Sequence, residues 1–344
     1  MSATSFTKLT KHLHLRHIKR CYCSSTSKLT NSEVREKRNA LFDEERKRQL
    51  SLITRIEKIR VEHIGPPENC TLIMNKGLST PFNCAAHIAE YLTVRSAVAL
   101  VNNQPWDMHR PLTEDCELKF VHYRENDPYH ANKAYWKSCS FILGHILEVA
   151  FQDQYYTELC SFPPPYVPSG SFVYDVKIPI PNWQPSHEEL QCMGQIGAKL
   201  AGKDWKFECL DIDETLALKM FEDNRFKTQQ IPNMAAQNKG GKIRVYRMGD
   251  HLDISNGPLI CRTSQIGRFA ITAFHPISSP DFGELTRVQG LSVPSQVLIN
   301  HWTFDFLAKR AEKYNEHASL PAMREPPPVK EEVQEEEKGY FWRL

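Results

Sequence analysis

Several protein classes are excluded by what this sequence does not contain. No apolar run approaches the roughly 18 to 20 residues that a membrane-crossing helix needs, so nothing in it reads as a span. Ten cysteines are scattered singly without a Cys-x-x-Cys, which argues against a zinc ribbon or a thioredoxin-type motif. Isolated buried thiols suit a reducing compartment. A basic excess is missing too: 43 Lys and Arg against 41 Asp and Glu leave +2 over 344 residues. A protein that held nucleic acid by bulk charge would be strongly cationic, so any such contact must come from local patches. The last absence is local, because no acidic residue precedes Glu33.

That acid-free stretch carries Lys8, Lys11, Arg16, Lys19, Arg20 and Lys28 among frequent Ser and Thr, with leucines between the basic positions. It has no continuous apolar centre for a secretory signal, and its composition is that of a mitochondrial presequence. Arg20-Cys21-Tyr22 places cleavage near residue 22, giving a presequence over 1–22. Its removal takes away five positive charges and leaves about −3. The other end, 321–344, holds an acidic tail expected to be disordered. The body between is close to neutral.

Residues 31–53 read as a charged helical extension with Ser32 as N-cap. A helix polar on nearly all sides seldom stands alone, so it is frayed or laid against a partner. Residues 58–123 read strand (58–64), strand (71–76), helix, strand (97–103), turn, strand (116–123), a β-grasp arrangement. The helix opens on Thr80 as N-cap with Pro81 at its first position. Residues 130–293 follow as a larger α+β unit: a buried helix from about 134 to 151, a proline-rich loop, and a strand over 171–178. Ser186 and Glu189 then stand in capping-box spacing before a helix. More strands follow at 205–212, 242–255, 268–275 and 285–293, with a helix starting from Asp213 between the first two. A C-terminal helix is expected over 295–316. The class is α+β, a β-grasp domain followed by an α+β sandwich.

The 134–151 helix carries Lys137, Cys139 and His145. At 100° per residue Cys139 and His145 lie about 120° apart and cannot clamp one metal. Lys137, Phe141 and His145 share a stripe, but a protonated amine and a phenyl ring are no ligands. No metal site is expected, and His145 reads as a hydrogen-bonded interface residue.

"HANKAYWKSCSFILGHIL" (130–147) resembles the helix that opens the editing domain of threonyl-tRNA synthetases, with Ser138-Cys139 and Leu143-Gly144-His145 aligning without a gap. "ALVNNQPWDMHRPLTEDCELKFV" (99–121) resembles the TGS domain that precedes editing in those enzymes. "SFVYDV" (171–176) and "DHLDISNGPL" (250–259) resemble two later landmarks, so the resemblance runs in order over 58–275. It implies an editing pocket built from a helical histidine pair and a later cysteine and histidine. Those four positions here are Lys137, Phe141, Ser255 and Leu259, each without the group the chemistry needs. A serine hydroxyl stays protonated near pH 7, and Phe and Leu neither transfer protons nor hold a metal.

After about residue 293 there is room for one helix and a tail, with no aminoacylation core. Together with "NALF", "RQLSL", "QPWDM", "NKAYW", "YDV" and "GPLI", this resembles a family of mitochondrial large-subunit ribosomal proteins related to the N-terminal half of threonyl-tRNA synthetase. The resemblance implies a non-catalytic structural subunit in the matrix, without cofactor, small-molecule substrate or membrane contact. Its partners would be neighbouring ribosomal proteins and rRNA. Candidate contacts are the 31–53 helix and the basic loop with Lys239, Lys242, Arg244 and Arg247, while the near-neutral body points to a peripheral seat held by protein. Two other readings compete. One is a free-standing hydrolase of mischarged tRNA using Lys137, Ser255, His251 and Asp253, and the other is a tRNA-binding regulator.

Overall fold

The computed structural model describes residues 29–181 and 183–323. The expected presequence over 1–22 and most of the acidic tail lie outside them. Twelve strands and eight α-helices among the described residues form three sheets, an α+β architecture.

The first sheet is five-stranded. β1 (Lys58–His63) and β2 (Cys70–Asn75) pair antiparallel, and β1 runs parallel to β5 (Cys116–Val121). β3 (Val98–Val101) pairs antiparallel with β5 and with β4 (Gln104–Trp106), giving the order β2-β1-β5-β3-β4. Strict alternation in β1 turns Ile59, Val61 and His63 inward, as a half-buried strand requires. The crossing helix is interrupted at Ala89, whose φ of −164° separates α2 (Pro81–Ile88) from α3 (Glu90–Arg95). One continuous helix was expected, but no glycine or proline marks this break. Thr80 does cap α2, its side chain accepting from Asn83 N–H, with Pro81 at the first position. The core here is Val61, Ala85, Leu92, Ala99, Leu112 and Leu118.

The larger unit is built on α4 (Tyr129–Val149), a 21-residue helix buried along most of its length. It lies against the sheet β11-β12-β7-β6, made of β6 (Glu158–Ser161), β7 (Phe172–Lys177), β11 (Ile266–Ser279) and β12 (Gly283–Pro294). β11 and β12 form one long hairpin. α5 (His187–Lys203) covers the sheet, its capping box closed by Ser186 and Glu189. Its Gly197 lets the helix approach closely, since a Cβ there would meet the Phe269 ring at 2.5 Å.

The third sheet, β10-β9-β8, comprises β8 (Glu208–Asp213), β9 (Lys242–Met248) and β10 (His251–Ile254). α6 (Glu214–Met220) and α7 (Arg225–Gln237) connect β8 to β9. α7 was not anticipated, because Pro232 sits inside it.

α1 (Asn31–Ser51) is laid on this third sheet and on the C-terminal half of α4. Its cap is Thr30 rather than Ser32. Thr30 Oγ1 accepts from Glu33 N–H and the Glu33 carboxylate accepts from Thr30 N–H. Ser32 instead donates its hydroxyl to Asp153 (2.6 Å). Phe42 joins the β8–β10 core, and ion pairs do the rest: Arg35–Asp250, Lys37–Asp223, Arg38–Glu148 and Arg46–Glu208.

α8 (His301–Arg310) is shorter than the expected 295–316 at both ends; it starts late because Asn300 caps it by accepting from Thr303 N–H, and it closes at Ala311. The chain then crosses the β11–β12 hairpin. Arg287, paired with buried Asp175 (2.8 Å), donates to the carbonyls of Ala318 (2.7 Å) and Ser319 (2.8 Å), and Ser279 donates to Pro321 O (2.6 Å). No helix among the described residues is long and apolar enough to cross a membrane.

Candidate functional site

α4 and the segment running from β10 through Leu259 bring together the four positions singled out by the resemblance. Phe141 is fully buried and belongs to the main core. Its ring meets His251 edge-on (4.7 Å between centroids), with Phe207 at 5.9 Å and Tyr246 at 6.4 Å. Leu259 is also fully buried, and its N–H donates to Asp107 Oδ1 (2.8 Å). Two of the four positions are therefore packing.

Lys137 and Ser255 retain polar atoms, and both are engaged by the backbone. Lys137 Nζ donates to the Gly257 carbonyl, and Ser255 Oγ accepts from Gly257 N–H (3.3 Å). Among the described residues no histidine or carboxylate hydrogen-bonds Ser255, and the Lys137 amine is turned to the Gly257 carbonyl rather than to the hydroxyl. Burial, then Lys133 and Arg244 against the pull of Asp107, lowers the Lys137 amine to about 8. The turn between them is fixed by Gly257, whose φ is +53° and whose Cβ, were there one, would land on the Tyr246 hydroxyl. A cleft of about 390 Å³ remains beside Lys137 and Ser255 and is bordered by Ser319–Met323 of the C-terminal segment.

The two further candidates for a hydrolase, His251 and Asp253, are committed elsewhere. His251 donates Nδ1–H to Glu148 Oε2 (2.7 Å), and Glu148 Oε1 accepts from Arg38 (3.1 Å). Burial works to raise the Glu148 carboxyl, but His251 and Arg38 overcome it and hold the group at about 2. Asp253 accepts from buried Lys227 (2.6 Å) and from the Tyr174 hydroxyl. Both carboxylates are clamps with no face toward Ser255 or Lys137 in their bonding.

His145 does not make the hydrogen bond expected of it. Its Nδ1 stays 3.7 Å from Asp250 Oδ1 and has no hydrogen-bond partner among the described residues. The ring instead stands edge-on to Trp205 (6.0 Å) and His251 (5.7 Å). Burial, with His251 adding to it, lowers its pKa to about 4. No group of three or more His, Cys, Asp or Glu among the described residues has the arrangement to hold a metal.

The four candidate phosphate ligands lie in the turn Lys239–Gly241 and on β9. Lys242 pairs with Asp213 (2.5 Å), Arg244 with Asp211 (2.6 Å), and Arg247 with both Asp43 (2.6 Å) and Glu208 (2.8 Å). Three of these cations thus already have carboxylates, and Arg247 helps seat α1.

Sequence reasoning missed Asp107, Glu148 and Lys227, the groups that organise the region. The single Tyr246 O–H is shared between the two Asp107 oxygens (2.9 and 3.0 Å), and Oδ1 also accepts from Leu259 N–H. Its place in "QPWDM" was visible, but its partners lie about 140 residues away.

Residues 72–122 match the model of the TGS domain family. The chain is 43% identical to the large ribosomal subunit protein mL39 of Drosophila melanogaster, over 80% of this chain and 84% of that one. It is 28% identical to the human cytoplasmic threonine–tRNA ligase 2 over 70% of this chain but only 27% of the ligase. The corresponding figures for a probable cytoplasmic threonine–tRNA ligase 1 of Dictyostelium discoideum are 29%, 64% and 30%. The likeness to the ligases is thus confined to less than a third of their length.

Proposed function

The chain belongs to the family of the large ribosomal subunit protein mL39, and from that membership we propose that it is a structural, non-catalytic constituent of the large subunit of the mitochondrial ribosome. It works there by burying surface against neighbouring ribosomal proteins and rRNA in the matrix. One observation carries the non-catalytic part: Phe141 and Leu259 are closed into the core where a reactive pocket would have to open. The polar remnants, Lys137 and Ser255, satisfy the backbone of the Ser255–Gly257 turn. A frame of this kind presents shape and charge to a partner, and its remaining hydroxyl and amine are turned to the backbone rather than to each other.

Two measurements test the reading. Gradient sedimentation of mitochondrial extract should find the protein with the large subunit at low and moderate salt. Purified protein incubated with mischarged aminoacyl-tRNA should release amino acid no faster than buffer. Turnover abolished by Ser255→Ala, or protein found only in the light fractions, would overturn the proposal.

A further inference from the structure

Three cations without carboxylate partners border one cleft. A cleft of about 590 Å³ lies between α3, β5 and the start of α4, and its walls carry Arg95, Lys119, His122 and Arg124. Among the described residues none of the three formal cations has an acidic partner. Arg95 stands over the half-exposed ring of Tyr91 (5.5 Å), and its Nε has no hydrogen-bond partner. Arg124 donates Nε–H and a terminal N–H to the Gln296 carbonyl (3.1 and 2.8 Å), which orients its fork and cancels no charge. Gln296 in turn donates to Arg95 O (3.0 Å), tying the two arginines into one wall. Lys119 is exposed on β5, opposite Leu100.

His122 registers the resulting field. Burial, then Arg95, lowers its pKa, with Arg124 and Lys119 adding to the effect and Glu125 opposing it. Its Nδ1 accepts from Arg124 N–H (3.1 Å), so the neutral ring carries its proton on Nε2 as a donor. Two carboxylates also border the cleft, and each is turned to a backbone amide. Glu125 accepts from His122 N–H (3.3 Å), and Asp127 accepts from Tyr129 N–H (3.1 Å).

We propose that this cleft, rather than the 239–247 segment, takes the phosphodiester backbone of an RNA strand. The proposal rests on the ribosomal reading above and adds a location to it. Guanidinium forks match phosphate oxygens in pairs, and a neutral imidazole N–H supplies a further donor. An acidic peptide would meet the same charges; the ribosomal reading favours RNA, and polyglutamate in the test separates the two.

The test uses the full chain and a labelled uridine 20-mer in an anisotropy titration across a salt series. Arg95→Gln/Lys119→Gln should lower affinity at least tenfold and flatten the slope of log K against log salt by about 1.4, about 0.7 per lost phosphate contact on a single strand. Lys242→Gln/Arg247→Gln should change affinity less than twofold. Lys119→Glu, which alters one exposed side chain, should weaken binding at an unchanged melting temperature. Wild-type affinity in the cleft variants, loss of affinity in the 242/247 variant, or polyglutamate competing as well as RNA would each overturn the proposal. If the protein sediments with the large subunit while the cleft variants bind RNA normally, this location is wrong and the ribosomal reading stands. If the wild-type protein never sediments with the subunit, both fall.

Discussion

At the scale of single residues, the decisive contacts surround Gly257. Its positive φ suits glycine, and the Tyr246 hydroxyl occupies the space of a Cβ, so Gly257→Ala must move a tyrosine that itself anchors Asp107. A loss of about 2 to 4 kcal/mol is expected, the range for strain combined with a broken buried hydrogen bond, measurable as a lower urea midpoint at unchanged slope. Phe141→His, which restores one histidine of the resembled pocket, places a polar ring in the buried space among Phe207, Tyr246 and His251. It should cost roughly 2 to 4 kcal/mol and bring no hydrolysis of mischarged tRNA. A stable, active Phe141→His protein would show that the pocket is latent and still reachable. That Phe141 and Leu259 carry no reactive group was legible from residue type, and their burial agrees with the apolar background of the helix and turn. The replacement bonding was not legible. Nothing local in the sequence indicates that Lys137 reaches Gly257 or that Asp107 reaches Tyr246.

At the scale of elements, α1 is held by charge more than by apolar area. Arg38 and Glu148 are both buried, and Glu148 also holds His251. Arg38→Met removes one of the two partners of a buried carboxylate, leaving it the His251 bond alone, so the loss should fall at or below about 3 kcal/mol, the low end for breaking a buried pair. The same seat is sensitive to acid. His145, facing His251, Glu148, Asp250, Arg35 and Trp205, titrates near 4 instead of its ordinary 6.5, and Glu148 near 2 instead of 4.5. Both folded-state values lie below the unfolded ones, so the unfolded chain binds more protons as pH falls. The His145 contribution is complete above about 6.5 and is lost toward 4, and that of Glu148 goes between 4.5 and 2, at about 1.4 kcal/mol per pKa unit. Urea midpoints should therefore fall on acidification from pH 7 to 4, and His145→Phe should flatten that fall. An equally steep fall in the variant would remove His145 from the account. Capping chemistry made α2 and α5 readable, since Thr80-Pro81 and Ser186…Glu189 are local signals. The docking of α1, the break at Ala89 and the existence of α7 around Pro232 depend on contacts remote in sequence, which periodicity does not encode.

At the scale of the whole molecule, the five-stranded unit and the larger α+β unit are joined by buried polar bonds. Asp107 reaches Tyr246 and Leu259 N–H. Gln265 donates to Ser96 O (2.7 Å) and accepts from the Tyr123 hydroxyl (3.3 Å). Because all these partners are shielded from water, losing one acceptor leaves donors unsatisfied in the opposite unit. Burial raises the Asp107 carboxyl, against Leu259 N–H, Arg244, Tyr246 and Arg110, all of which pull it down, so the group sits where removal is felt from two sides. Asp107→Ala should destabilise the protein by about 2 to 3 kcal/mol, the desolvation cost of the orphaned donors. In hydrogen exchange, amides of β3 and β9 should lose protection together, because the bridge couples the sheets that contain them. Loss confined to β9, with β3 unchanged, would mean that the two units open separately and that the rigid platform required of a structural subunit is supplied by its partners.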